Sequence, residues 1–277
     1  MLKKLFRYEW KACWKLMAVL NAIVIVLSVI GLFVFRNDFW YSSGRDDIGQ
    51  VVSGAVMSAY FITYFVSVAS LGFVVNLYFY IRFYRNLYTD QGYLMHTLPV
   101  KPWELIWSKA FVGLIWQFIS TFVMIFSVFG VIFNTVAKAT DESIWDMFSK
   151  MFSELFENVS GGWIFTIGLL YLLLAIAGAC MSMFLGYTAI SIGQTFKKHK
   201  VVGAIGVYFG LYSVLQFVAA FFTVPVARWI DVLTRQDNMH EPNVAAVLGI
   251  LLVAIVLLTT GMYFLNEHIM KYKLNLE

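Results

Sequence analysis

The sequence predicts an all-α integral membrane protein with six transmembrane helices, and three observations carry that prediction. Of its 277 residues 61% are hydrophobic and only 13% are charged, where a water-soluble domain carries roughly a quarter of its residues as charges. The apolar residues fall into six long runs, each near or above the roughly 20 residues a helix needs to cross about 30 Å of hydrocarbon. The Lys and Arg residues concentrate in alternate connections, as they do in proteins that cross a bilayer an even number of times.

The spans are read at Leu16–Phe35, Val52–Tyr80, Trp103–Phe133, Trp163–Ile192, Val201–Val224 and Val244–Asn266. The first is as long as a full span and has no small-residue cleavage site behind it, so it reads as a span and not as a removed leader. Several runs exceed the minimum, which implies tilt or extension into water. No polar stretch is long enough to fold as a separate water-soluble domain, and there is no internal repeat. The whole chain, 1–277, reads as a single transmembrane domain.

Orientation follows from the basic residues. One side holds Lys3, Lys4, Arg7, Lys11, Lys15, Arg82, Arg85, Lys101, Lys109, Lys197, Lys198, Lys200, Lys271 and Lys273. The other holds Arg36, Arg45, Lys138, Lys150, Arg228 and Arg235, together with most of the acids. The basic side is expected to be cytoplasmic, with both termini on it. That asymmetry accounts for the net charge of +4 without a nucleic-acid partner.

Two segments outside the spans have a helical period. In LKKLFRYEWKACWK, Leu2, Leu5, Phe6, Trp10, Cys13 and Met17 share one face and Lys4, Arg7, Lys11 and Lys15 the other. The pattern over 1–15 suits a helix lying in the interface. Glu9 falls on the apolar face: either it reaches water at the interface, or it pairs with an Arg or Lys of this protein or a partner. In the region 135–162, the stretch Asp141 to Asn158 places Ile144, Phe148, Met151, Phe152, Leu155 and Phe156 on one stripe opposite its acids. It reads as a helix on the outer surface, a cover for that face or a lid. Asn158-Val159-Ser160 matches a glycosylation tripeptide, which is frequent by chance.

Several chemistries are missing. There is no G-x-x-x-x-G-K-[ST] loop for ATP and no H-E-x-x-H. His96, His199, His240 and His268 lie apart, in loops or near span ends. Cys13 and Cys180 sit in a basic segment and an apolar run, an arrangement that favours free thiols over a disulfide. The span interiors hold neutral groups such as Asn21, Ser28, Thr63, Asn76, Gln117, Ser120 and Gln216. Ion-coupled carriers keep ionisable groups there, so any driving force is expected from elsewhere.

The connection from Arg82 to Lys109 reads RFYRNLYTDQGYLMHTLPVKPWELIWSK. Aromatic and polar groups alternate through Tyr84, Tyr88, Asp90 and Tyr93, and Pro99 and Pro102 end the loop and start the next helix. The pattern R-x-x-x-x-L-Y-x-D-x-G-Y-L-x-x-T-L-P-V, followed by Ser108-Lys109, resembles the loop between spans 2 and 3 in permease subunits of ABC exporters of the type-2 (ABC-2) superfamily, in its small bacterial members. The amphipathic N-terminus with Tyr8-Glu9 is similar to their elbow helix.

The resemblance implies an elbow helix over 1–15, with Glu9 and Trp10 in it, and a cytoplasmic coupling helix in the loop 82–102. Tyr88, Thr89, Asp90, Gln91, Gly92, Tyr93 and Leu94 are the implied contact with a separate ATP-binding subunit. Asp90 and Gly92 would shape the turn, and Tyr93 and Leu94 would fill a pocket of that subunit. It further implies a second permease, identical or different, a location in the bacterial cytoplasmic membrane, and no catalysis in this chain. It implies no directly bound cofactor, with ATP and Mg held by the partner. The outer loops are short, which leaves cargo selection to the aromatic and Met-rich pathway walls and suits lipids, hydrophobic drugs or amphipathic peptides, antimicrobial ones included. The alternative is an interaction or sensor subunit whose loop docks a signalling partner without transport.

Overall fold

The computed structural model describes residues 2–36, 47–89, 92, 100–140, 143–158, 161–196, 198–235 and 241–272. Among them the secondary structure is helical, in the order α1 (Leu2–Arg36), α2 (Asp47–Tyr88), α3 (Pro102–Thr140), α4 (Ile144–Asn158), α5 (Gly161–Gly193), α6 (Lys200–Arg235) and α7 (Glu241–Tyr272). Six of these, all but α4, are long and apolar enough to cross a membrane, so the chain is a multi-pass membrane protein. Large side chains such as Phe65, Phe73, Phe126, Phe165 and Phe217 are mostly exposed, as expected where lipid is the solvent.

The helices overrun the expected spans because a helix stops at a cap and not at the edge of the oil. Residues 2–15 are not a separate elbow: they are the opening turns of a helix that continues unbroken to Arg36. Nothing between Lys11 and Met17 breaks it, since there is neither Gly nor Pro. In the same way α2 passes the expected end at Tyr80 and continues to Tyr88, so residues 82–88 of the expected loop are helical.

Starts follow local chemistry. Pro102 occupies the first turn of α3, and the Glu104 carboxylate accepts from the Lys101 backbone N–H at 3.2 Å. Ser143 accepts from the Asp146 N–H at 3.1 Å and donates to the Asp146 carboxylate at 2.7 Å, which sets the start of α4. The helix expected from Asp141 therefore begins at Ile144.

The chain divides into two compact units. One comprises Met1–Phe6, Tyr78–Leu114 and Phe156–Glu277, the other Arg7–Leu77 and Ile115–Leu155. In the second, α1 and α3 run parallel. Trp10 stacks on Trp116 with ring centroids 5.1 Å apart, and Asn21 donates to Ser120 at 3.1 Å. Further along, Ser28 is bonded to Ser127, and Asn134 donates to the Leu32 carbonyl at 3.3 Å. The Tyr64 hydroxyl of α2 shares Ser127 at 2.6 Å, and Tyr60 donates to the Leu27 carbonyl at 2.6 Å. Val131 and Tyr64 are buried beside this seam with Leu27, Met57 and Val68 packed on them.

The seam has a simple register. Asn21 and Ser28 are seven residues apart, as are Ser120 and Ser127, and Asn134 is seven further on. Seven residues are two turns of a slightly supercoiled helix, so these positions return to one line along each rod. Between helices in lipid there is little hydrophobic force to drive association, and small polar residues on one line supply close approach and hydrogen bonds instead.

In the first unit α5 packs against α7 and α6. The α5–α6 turn brings Gly193 against Ala204, where a Cβ would meet the Ala204 backbone. His199, just before α6, has a positive φ of 56° and its carbonyl accepts from the Gly203 N–H at 2.9 Å.

Candidate functional site

The expected contact segment starts at the C-terminal end of α2, where an aromatic cluster fixes the helix. Phe83 lies flat on Tyr187 of α5 with centroids 3.8 Å apart, and Leu87 is buried. Tyr80 packs edge-on against Tyr187 and donates to the Ser182 carbonyl at 2.6 Å. Gly186 makes this approach possible, because a Cβ there would fall into the Tyr80 ring. From α3, Trp107 contacts Phe184 and Tyr263 edge-on or tilted, with centroids 5.6 Å away in both cases.

Tyr88, the last residue of α2, opens a chain of buried polar contacts. Its hydroxyl is 2.7 Å from Ser191 Oγ, and Ser191 Oγ donates to Asn266 Oδ1 at 2.6 Å. Asn266 Nδ2 donates to Thr188 Oγ1 at 2.8 Å and to the Met262 carbonyl at 3.2 Å. Ser191 and Asn266 are 0% exposed. One route of hydrogen bonds thus joins the end of α2 to α5 and α7, with the polar atoms of each step satisfied by the next.

Beyond Tyr88 the chain bends. Thr89 Oγ1 donates to the Arg85 carbonyl at 2.5 Å, closing the helix end, and the Gly92 N–H donates to the Thr89 carbonyl at 2.6 Å. Gly92 is buried, and a Cβ at this position would overlap the Leu87 carbonyl. The role expected of Gly92 in shaping the turn therefore has a steric basis. Asp90, Gln91, Tyr93 and Leu94 lie outside the described residues.

The N-terminal candidates are also placed. Trp10 is the ring stacked on Trp116, and Glu9 is buried, 6% exposed. Lys109, assigned to the basic side, is buried, as is its neighbour Ser108. Cys13 and Cys180 are free thiols. Among the described residues no three His, Cys, Asp or Glu side chains come together.

The structure thus brings Tyr88, Thr89 and Gly92 to one turn and adds Ser191, Asn266 and Thr188, which sequence reasoning did not single out. In comparison with known proteins, the chain matches no family model, no curated protein and no solved structure.

Proposed function

We propose that the chain is the membrane-spanning permease subunit of an ATP-driven exporter of the ABC-2 kind. In this reading it has no catalysis of its own. It pairs with a second permease, identical or different, and with separate ATP-binding subunits that hold ATP and Mg. Its cargo is hydrophobic or amphipathic: a lipid, a drug or an antimicrobial peptide. The membrane is the bacterial cytoplasmic membrane, with the turn at Tyr88–Leu94 and both termini in the cytoplasm. The sequence pattern from Arg82 to Val100 suggests the family.

The observation that carries the mechanism is the route from Tyr88 through Ser191 to Asn266 and Thr188. A transport subunit driven from outside must receive force at a cytoplasmic turn and deliver it to its spans. A turn attached only by a loose loop would dissipate that force. Here the turn is anchored to the buried faces of α5 and α7 by directional bonds, and its neighbour Phe83 is stacked on α5. Movement imposed on the turn would be shared by three helices, because packed interiors transmit displacement instead of absorbing it.

The test is purification of the tagged full chain in mild detergent from its native membrane, with ATPase activity assayed in the eluate. A parallel preparation carries Asp90→Lys and Tyr93→Ala. An ATPase that accompanies the parent and is lost from the variant, with helix content equal in both, supports the coupling assignment. A chain that emerges alone and inert with its helices intact removes it. A partner without ATP turnover would instead favour a non-transporting interaction or sensor subunit.

A further inference from the structure

The basic end of α2 carries a cavity that the coupling route does not use. It has a volume of about 250 Å³ and is lined by Tyr78, Ile81, Arg82, Arg85 and Asn86. These positions follow i, i+3, i+4, i+7 and i+8, so one helix face presents two guanidinium groups, an amide and a phenol together. The Arg82 guanidinium donates to the Tyr78 hydroxyl at 3.4 Å, which holds its fork along the helix. Arg85 is exposed and sits in the last turn of α2.

Two arginines three residues apart suit a phosphate, whose oxygens accept the paired N–H groups of a guanidinium fork. The surroundings decide which phosphate. The cavity lies at the end of a helix, Gly54–Tyr88, that is long and apolar enough to cross a membrane, and not on a polar loop. From Arg85 an apolar track runs back along the same face through Ile81, Leu77 and Val74, exposed by 49%, 41% and 36%. Val74 to Arg85 is eleven residues, about 16 Å at 1.5 Å per residue, long enough for much of an acyl chain. A soluble anion has no use for that track, and an acidic peptide would not reach along it into hydrocarbon.

We propose that this cavity binds the phosphodiester headgroup of an anionic phospholipid, with one acyl chain lying along Val74, Leu77 and Ile81. The inference rests on α2 being a membrane span and is independent of the exporter reading. Basic pockets at the membrane interface hold anionic headgroups in this way. The chain then prefers phosphatidylglycerol-like lipids to zwitterionic ones at this position.

The test places the full chain in phosphatidylcholine nanodiscs with trace dansyl-phosphatidylglycerol and reads energy transfer from tryptophan to dansyl. Unlabelled phosphatidylglycerol should compete, and phosphatidylcholine should not. Each interfacial basic residue contributes about a fivefold preference. Arg82→Gln with Arg85→Gln should therefore raise the competing concentration by about 25-fold. Arg82→Lys with Arg85→Lys, which keeps the charge and loses the fork, should fall between that pair and the parent. Lys198→Gln with Lys200→Gln removes the same charge elsewhere and should leave the parent curve in place. The proposal is overturned if phosphatidylcholine competes equally with the parent chain, a result that needs no variant. It is also overturned if the lysine pair loses as much as the arginine pair, since that is diffuse surface charge. Displacement by soluble glycerol 3-phosphate would reassign the cavity to a free anion, and displacement by polyglutamate but not by phosphatidylglycerol would reassign it to an acidic protein.

Discussion

Removing a single oxygen at Ser191 should uncouple the α2 turn from the rest of its unit. Ser191 Oγ stands 2.7 Å from the Tyr88 hydroxyl and donates to Asn266 Oδ1 at 2.6 Å. Ser191→Ala therefore deletes two interhelical bonds and creates almost no cavity. Interhelical side-chain hydrogen bonds in membrane proteins contribute about 0.6 kcal/mol on average and about 1.7 kcal/mol at most. Two of them give a loss of about 1–3 kcal/mol, with the upper half favoured because Asn266 is left fully buried without that donor. Equilibrium unfolding in mixed micelles, followed by tryptophan emission, measures it. Thr166→Ala is the control: its hydroxyl is exposed and donates only to the Gly162 carbonyl of its own helix, so a change below about 0.5 kcal/mol is expected. Tyr88→Phe completes a double-mutant cycle. If Tyr88 and Ser191 interact, the double variant loses less than the sum of the singles by about 0.5 kcal/mol or more. Additivity within about 0.3 kcal/mol would refute the contact, and with it the argument that the turn is anchored by directional bonds.

Other outcomes follow from the same packing. Gly186→Val should cost about 1–3 kcal/mol by displacing the Tyr80 ring, whereas Gly168→Val, which meets nothing within 4 Å, should be nearly neutral; thermal denaturation of the two in one detergent compares them. Gly92→Ala should abolish co-purification of an ATPase while leaving helix content unchanged by circular dichroism, because a Cβ there meets the Leu87 carbonyl. Asn21→Leu should weaken the α1–α3 seam by about 1 kcal/mol, read by the same micelle titration, since the Ser120 contact is lost. His199→Gly should raise the denaturation midpoint, because relieving a non-glycine residue at positive φ gains about 1 kcal/mol.

The six spans were legible because length and apolarity report directly on the solvent a helix faces. Their ends were less so. Tyr80 marks a change of polarity, but the helix runs on to Tyr88 since no residue between them breaks it. The elbow over 1–15 failed to separate for the same reason: amphipathicity describes which face is wet and not where the backbone bends. At the turn, Gly92 was legible as a shaping residue, and Tyr88 as part of the segment. Its partners were not. Ser191 and Asn266 are neutral residues about a hundred and more positions away in sequence, and only the pairing of helices reveals them. The seven-residue recurrence of Asn21 with Ser28, and of Ser120 with Ser127 and Asn134, was a readable signal. Treating Asn21, Ser28 and Ser120 as mere neutral span content overlooked it.

The α1–α3 seam has a consequence for the order in which the protein is made. Synthesis proceeds from the N-terminus, so α1 must wait in the bilayer until α3 emerges about a hundred residues later. During that interval its polar side chains would face lipid. Each has a temporary berth: Asn21 donates to the Met17 carbonyl at 2.8 Å and Ser28 to the Val24 carbonyl at 2.7 Å. One amide N–H of Asn21 and the hydroxyl of Ser28 are thus already bonded within the newborn first helix, and the arrival of Ser120 and Ser127 adds partners without requiring either bond to be surrendered. Helix insertion and helix association become separable events in time, the first complete before the second begins.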